Sequence, residues 1–253
     1  MASKIFLLGR PGSGKSAAAR YIQLLAEKRN WRTYHINDYK FLKEMYEEEG
    51  EGKSFRGSEC GGFDVVDFSV LDTALQQVER EGLAHSACQR ELVLLEFARN
   101  DYHAALGLFS HAFLSDAYLL FFQVDISTCA QRVQERAASP ETEDDHYISE
   151  EMLRSYYQRD TGKRAVSRLI QELGLDAEKV RLIENMGSWR EFCQQLSEVV
   201  ESVMSKNEEM LVLPHECKRL KEVLASQVEK SAGELVVSCP AASKVVAQPF
   251  DRM

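Results

Sequence analysis

Along the chain, short apolar runs alternate with segments whose apolar residues recur every three or four positions. The runs near 4–8, 32–37, 91–96, 118–124 and 180–184 have strand length and read as five buried strands. Between them, Ala18, Ile22 and Leu25 fall on one helical face, and so do Val70, Leu71, Ala74, Leu75 and Val78. Near the end of this pattern Trp189, Phe192, Leu196, Val199 and Val203 repeat at helical spacing. Ser188, three residues before Glu191, gives that helix the signature of a capping box. Strands separated by helices of this length predict an α/β class, a parallel sheet covered by crossover helices.

Two segments break the pattern. The stretch from Glu47 to Gly62 is acidic and then Gly-rich, and it predicts a mobile loop on the substrate side of the domain. Within it Gly52-Lys53-Ser54 imitates the end of a phosphate loop, but no strand precedes it. From Ser139 to Tyr147 the chain carries Pro140, Glu141, Glu143, Asp144 and Asp145, the make-up of an exposed lid or loop. Two parts are expected, a core over 1–204 and a C-terminal extension over 205–253. In the extension Leu220, Val223, Leu224 and Val228 suggest one docked helix, and the last residues, from Ser231 to Met253, suggest a poorly ordered tail.

At 253 residues the chain can bury one sizeable α/β core. No apolar run approaches the ~20 residues of a membrane span, so no membrane partner is expected. Met1-Ala2-Ser3-Lys4 leads directly into the first strand and leaves no room for a signal peptide. The six cysteines (Cys60, Cys88, Cys129, Cys193, Cys217 and Cys239) are scattered, which predicts a reduced, cytoplasmic protein without structural zinc. A formal charge of −9 argues against a long nucleic-acid track.

The chemistry is concentrated after the first strand. Gly9-Arg10-Pro11-Gly12-Ser13-Gly14-Lys15-Ser16 fits G-x-x-x-x-G-K-[ST] in full, and Ala17 opens the helix that follows. Glycines let the backbone wrap phosphates with its N–H groups at a helix N-terminus, where the dipole favours anions. Gly9 to Ala17 are therefore the expected nucleotide-binding residues. Lys15 would reach the β- and γ-phosphates, and the Ser16 hydroxyl would ligate Mg²⁺.

The form Gly-x-Pro-Gly-Ser-Gly-Lys-Ser resembles the phosphate loop of the nucleoside and nucleotide kinase-like family within the P-loop nucleoside triphosphate hydrolases, and the likeness extends over roughly residues 3–204. It implies a three-layer fold around a five-stranded parallel sheet of order 2-3-1-4-5, with a substrate-binding excursion after strand 2 and an arginine-bearing lid after strand 4. Carried onto this chain, the resemblance makes Asp38 the acid that orients or deprotonates the acceptor hydroxyl, and Glu96 a Mg²⁺ ligand acting through water. The residue-level alternatives are that Asp38 caps the helix starting at Tyr39, and that Glu96 forms an ion pair with Arg99. Glu96-Phe97-Ala98-Arg99 looks like a loosened E-R-S element of deoxynucleoside kinases, which makes Arg99 a catalytic candidate. Arg132 and Arg136, one helical turn apart at the lid position, would neutralise the migrating phosphoryl group, with Arg159 and Arg164 in reserve. The turn from Glu184 to Ser188 would border adenine, and the lack of an N-K-x-D motif favours ATP over GTP.

The expected activity is transfer of the γ-phosphate from ATP to a small nucleoside, nucleotide or related acceptor. Asp38-Tyr39-Lys40 and the stretch from Ile148 to Tyr157 also resemble pieces of polynucleotide 5′-kinases, and zeta-toxin-like sugar-nucleotide kinases share the phosphate loop. A regulatory ATP-binding protein without transfer activity is the reading from another class.

Overall fold

The computed structural model describes residues 2–57, 62–85, 90–139, 148–157 and 162–209. Of the lid or loop expected from Ser139 to Tyr147, residues 140–147 lie outside the described residues, as do the reserve Arg159 and the extension beyond residue 209, with its helix at Leu220 to Val228. So do Cys60, Cys88, Cys217 and Cys239; Cys129 and Cys193 are free thiols.

The sheet is made of β1 (Ser3–Leu8), β2 (Arg32–Asn37), β5 (Glu91–Phe97), β6 (Tyr118–Gln123) and β7 (Val180–Glu184). They lie side by side as β2-β5-β1-β6-β7, every pair parallel. Counted along the main sheet alone, this is the expected order 2-3-1-4-5. The three central strands read as unbroken apolar runs because both their faces are covered. Phe6, Leu8, Val93, Leu95 and Phe121 pack on one side. Ile5, Leu7, Leu92, Leu94 and Leu120 alternate with them and pack on the other.

The second face is closed by α1 (Lys15–Lys28) and α9 (Trp189–Glu209), which meet over the sheet. Burial of Ile22, Phe192, Leu196 and Val203 follows the predicted helical period. Ser188 and Glu191 form the expected capping box: Glu191 N–H donates to Ser188 Oγ at 3.3 Å, and Ser188 N–H donates to the Glu191 carboxylate at 2.8 Å. Trp189 departs from the pattern. It is 60% exposed and meets Tyr21 and Phe192 only with part of its ring.

The first face is covered by α2 (Asp38–Glu49), α3 (Ser69–Ala84), α4 (Tyr102–Leu106), α5 (His111–Leu114) and α8 (Lys163–Leu173). Two further helices, α6 (Ile126–Ala138) and α7 (Glu150–Ser155), pack on each other through Ala130, Val133 and Leu153. The region expected to be a loop from Glu47 to Gly62 is more ordered than its composition suggested. Residues to Glu49 complete α2, and β3 (Phe55–Gly57) pairs antiparallel with β4 (Phe63–Val65). The reason is aromatic: Phe55 and Phe63 are buried edge to face at 5.2 Å, and Tyr46 of α2 stacks on Phe63 at 4.7 Å. The imitation motif at Ser54 is occupied in starting this hairpin, with its N–H donating to Glu49 Oε1 at 2.7 Å.

Candidate active site

Each parallel strand ends on the same edge of the sheet, and each end delivers part of one site. After β1 the chain turns through Gly12 (φ 78°) and Gly14 (φ 98°), both in the left-handed region that glycine tolerates. A Cβ at Gly12 would lie 2.5 Å from the carbonyl oxygen of Cys129 in α6, and one at Gly14 would run into the Asn185 carboxamide. That carboxamide donates from Nδ2 to Ser13 O at 2.9 Å, while the carbonyl of Asn185 accepts from Arg132 Nη2 at 3.0 Å. The turn after β7 thus ties the phosphate loop to α6. Arg10 ties it on a second side, donating to Tyr157 O at 2.8 Å and Val124 O at 3.1 Å. Its side chain is a strut in this arrangement.

Lys15 is buried, with Nζ donating to Arg10 O at 3.1 Å. Burial pushes its ammonium below the ordinary lysine value of 10.5, and the charge of Arg136 adds to this against the pull of Glu96 and Asp38. One residue on, the Ser16 hydroxyl donates to Glu96 Oε1 at 2.8 Å. The other oxygen of Glu96, Oε2, lies 2.9 Å from His35 Nε2. An ionised carboxylate only accepts, so the proton of that contact sits on Nε2. Burial alone would push the Glu96 carboxyl up; the His35 hydrogen bond, the Lys15 charge and the Ser16 hydroxyl together hold it below its usual value. A hydroxyl oxygen beside an ionised carboxylate suits Mg²⁺, which prefers oxygen donors and keeps most of its waters.

Asp38 begins α2, but the helix is capped by its neighbour: Asn37 Oδ1 accepts from Tyr39 N–H at 3.1 Å. The expected capping role therefore belongs to Asn37, and the Asp38 side chain is released into the site. It accepts from Arg99 Nη1 at 2.5 Å. Arg99 also donates from Nη1 to Ala98 O at 2.6 Å and from Nη2 to Leu71 O at 2.7 Å. The alternative Glu96–Arg99 ion pair does not form, because Glu96 is taken by Ser16 and His35. Burial pushes the Asp38 carboxyl above its ordinary range, against the pull of Arg99 and Lys15.

These groups line one cavity of about 390 Å³. Lys15, Ser16, Asp38, Glu96 and Arg99 are joined there by Arg132 and Arg136 from α6. Arg164 is not among the lining residues. Sequence reasoning placed Asn185 in the turn expected to border adenine but not its bonds to Ser13 and Arg132, and it missed His35, whose partner is far away in the chain, and Arg20, which follows Ser16 by one turn of α1 and also lines the cavity.

No known family's sequence profile matches this chain, and neither does any curated protein sequence. Solved structures do match its fold. The APS kinase CysC of Mycobacterium tuberculosis, solved with AMPPNP and APS, superposes with a TM-score of 0.50 at 16% identity, over 79% of this chain and 98% of that one. Kti12 of Chaetomium thermophilum, solved with ADP-AlF3, gives 0.51 at 15% identity over 79% and 98%. At this identity the likeness speaks for the fold. The parallel sheet, its strand order and the phosphate loop at the end of β1 give this chain the kinase-like fold of the P-loop nucleoside triphosphate hydrolases.

Proposed function

We propose that this protein is a phosphotransferase that moves the γ-phosphate of ATP to the hydroxyl of a small acceptor. The observation that carries the reading is Asp38: a buried carboxylate, relieved of capping by Asn37, lines the same cavity as the phosphate-loop lysine. A protein that only holds a nucleotide has no use for an acid there. The reaction needs an aligned nucleophile and charge stabilisation more than covalent help. The acceptor oxygen forms a bond to the γ-phosphorus, the bond from that phosphorus to the bridging oxygen breaks, ADP leaves, and the acceptor proton passes to Asp38. The raised affinity of Asp38 for protons suits this role, since a base works best with its pKa near the working pH.

Lys15 and the backbone N–H groups of Gly12 to Ser16 bind the triphosphate, and the buried Ser13 hydroxyl, which has no hydrogen-bond partner among the described residues, is one more polar group that a phosphate would satisfy. Arg132 and Arg136 face the charge that spreads over the transferring oxygens. Arg99 holds Asp38 in place. Ser16 and Glu96 are the groups that would hold Mg²⁺, which in such a site neutralises phosphate charge. ATP as donor rests on the absence of N-K-x-D, and the nucleotide analogues bound by the solved APS kinase and Kti12 are in keeping with it.

Incubation with γ-labelled ATP and pooled nucleosides, nucleotides, sugars and 5′-hydroxyl oligonucleotides tests the reading. Label is expected in a small acceptor and absent with Lys15→Ala. Equal transfer by that variant, or label found only in inorganic phosphate, would end it.

A further inference from the structure

The two oxygens of Glu96 are committed to different partners. Oε1 accepts the Ser16 hydroxyl hydrogen at 2.8 Å, and Oε2 lies 2.9 Å from His35 Nε2. A serine hydroxyl has one hydrogen and two lone pairs, so one that gives its hydrogen to a carboxylate keeps its lone pairs for a cation. The direction in which Ser16 presents them therefore depends on where the Glu96 carboxylate stands. Glu96 is buried near the end of β5, but burial only hides its oxygens from water; the long side chain still has rotamers to choose from. The contact that selects one comes from β2.

His35 is not among the residues that line the cavity. In the parallel ladder it pairs with Leu94, while Asn37 pairs with Glu96, so His35 stands two residues back from the level of Glu96 and on the same face of the sheet. Its neighbours Tyr34 and Ile36 pack on the other face. β2 is an edge strand and the His35 side chain keeps 20% of its surface exposed, a place where packing by itself asks for no imidazole. Among the described residues His35 supplies the hydrogen bond to Oε2. Without that donor the oxygen would be a buried charge lacking a hydrogen bond, and the carboxylate would turn toward the Lys15 ammonium, whose charge already acts on it. Turning away releases the Ser16 hydrogen.

Resting on the phosphotransferase reading above for its triphosphate and Mg²⁺, we infer that His35 is a positioning residue for the metal: it holds Glu96 where the carboxylate takes the Ser16 hydrogen, so that the Ser16 lone pairs stay turned to the cation. His35 touches neither nucleotide nor metal and acts through Glu96 alone. Partners that orient a metal-binding group in this way typically account for about 10–100-fold of metal affinity. With both its oxygens engaged, Glu96 serves the cation through water, which suits Mg²⁺ because that ion gives up its waters reluctantly.

The test is the Kd of ATP for the full chain, measured by calorimetry once in EDTA and once in excess Mg²⁺, and the quantity read is the gain in affinity that the metal brings. His35→Val keeps a strand-forming side chain on the edge strand but has no donor. His35→Gln keeps an N–H that can reach Oε2. In His35→Val the gain from Mg²⁺ is expected to fall about tenfold or more, and His35→Gln is expected to retain most of it. A purely structural histidine would affect ATP binding alike with and without metal, leaving the gain unchanged. An unchanged gain in His35→Val would overturn the inference, and so would a Gln variant as impaired as the Val variant, or a wild-type protein whose ATP affinity ignores Mg²⁺. No acceptor enters these measurements, so any of those results leaves the phosphotransferase reading to be decided by the labelled-ATP experiment.

Discussion

Asp38 and Arg99 form a buried pair whose two partners are only 8% and 5% exposed, so removing one strands the other without water. In Arg99→Met the carboxylate loses its counter-charge; in Asp38→Asn the guanidinium keeps an oxygen to bond but no opposing charge. Breaking a buried pair from one side costs about 3–5 kcal/mol, whereas replacing both partners with uncharged groups is often close to neutral. The double variant Asp38→Asn/Arg99→Met should therefore be more stable than the sum of the singles implies, with a coupling energy of roughly 2–3 kcal/mol. Urea unfolding of the four proteins measures it. Transfer should behave differently: Asp38→Asn loses about 10²-fold or more, and the double variant does not recover it, because stability returns but the base does not. Single-turnover transfer with saturating ATP separates the two effects. Additive stabilities would refute the pair as a coupled unit, and recovered transfer in the double variant would refute Asp38 as the base.

The same pair has a pH signature. The folded carboxyl of Asp38 binds its proton more tightly than the ordinary value of 3.8. The stability it contributes is thus fully present below that value and is lost as pH rises through the folded pKa. Transfer runs the other way, since the ionised form accepts the proton, and its rate should fall as pH drops through the same point. Arg99→Met removes a charge that favours ionisation, so the acid limb of the rate profile should move to higher pH.

Three further outcomes are expected. Gly12→Ala combines a left-handed φ with a backbone clash on Cys129, and should lower stability by about 2 kcal/mol, read as a Tm drop of roughly 4–8 °C together with loss of ATP binding; an unaltered Tm would refute the packing argument. Arg132→Ala and Arg136→Ala should each reduce transfer by about 10²-fold or more with much smaller change in the Kd of ATP, and Lys replacements should restore only part of it, because a point charge lacks the planar fork; wild-type rates would remove these arginines from the chemistry. Lys15 is held below 10.5 by burial, and a bound triphosphate favours its charged form, so ATP binding on the alkaline side should take up protons. Calorimetry in two buffers of different ionisation heat checks this, and identical enthalpies would contradict it.

What the sequence disclosed follows from where each signal is stored. The phosphate loop is contiguous, and the central strands carry unbroken apolar runs because both faces are buried, so both were legible. The β3–β4 hairpin was not, since strands of three residues are too short to display a period of two. Its signal was the recurrence of Phe55 and Phe63 within a polar stretch. The partnerships inside the site were hidden for a different reason: Asp38 and Arg99 are 61 residues apart, as are His35 and Glu96, and only the parallel register of β2 on β5 brings them together. The choice of cap could not be read either, because Asn37 and Asp38 are both good capping residues and the backbone path after β2 decides between them.

That register also explains why one strand serves both halves of the cavity. Glu96 pairs in the ladder with Leu7 on one side and Asn37 on the other, so the end of β5 lies between the phosphate loop and the start of α2. Glu96 faces Ser16, and Arg99, three residues later, faces Asp38. Shifting β5 by one residue against β2 would turn Glu96 to the opposite face of the sheet and separate both pairs. On the proposed phosphotransferase reading, the spacing between donor phosphate and acceptor base is therefore set by strand pairing in the core, whereas further walls of the cavity come from α2, the hairpin, the start of α3 and α7. A different acceptor can be accommodated by changing those walls without moving the residues that carry the transfer.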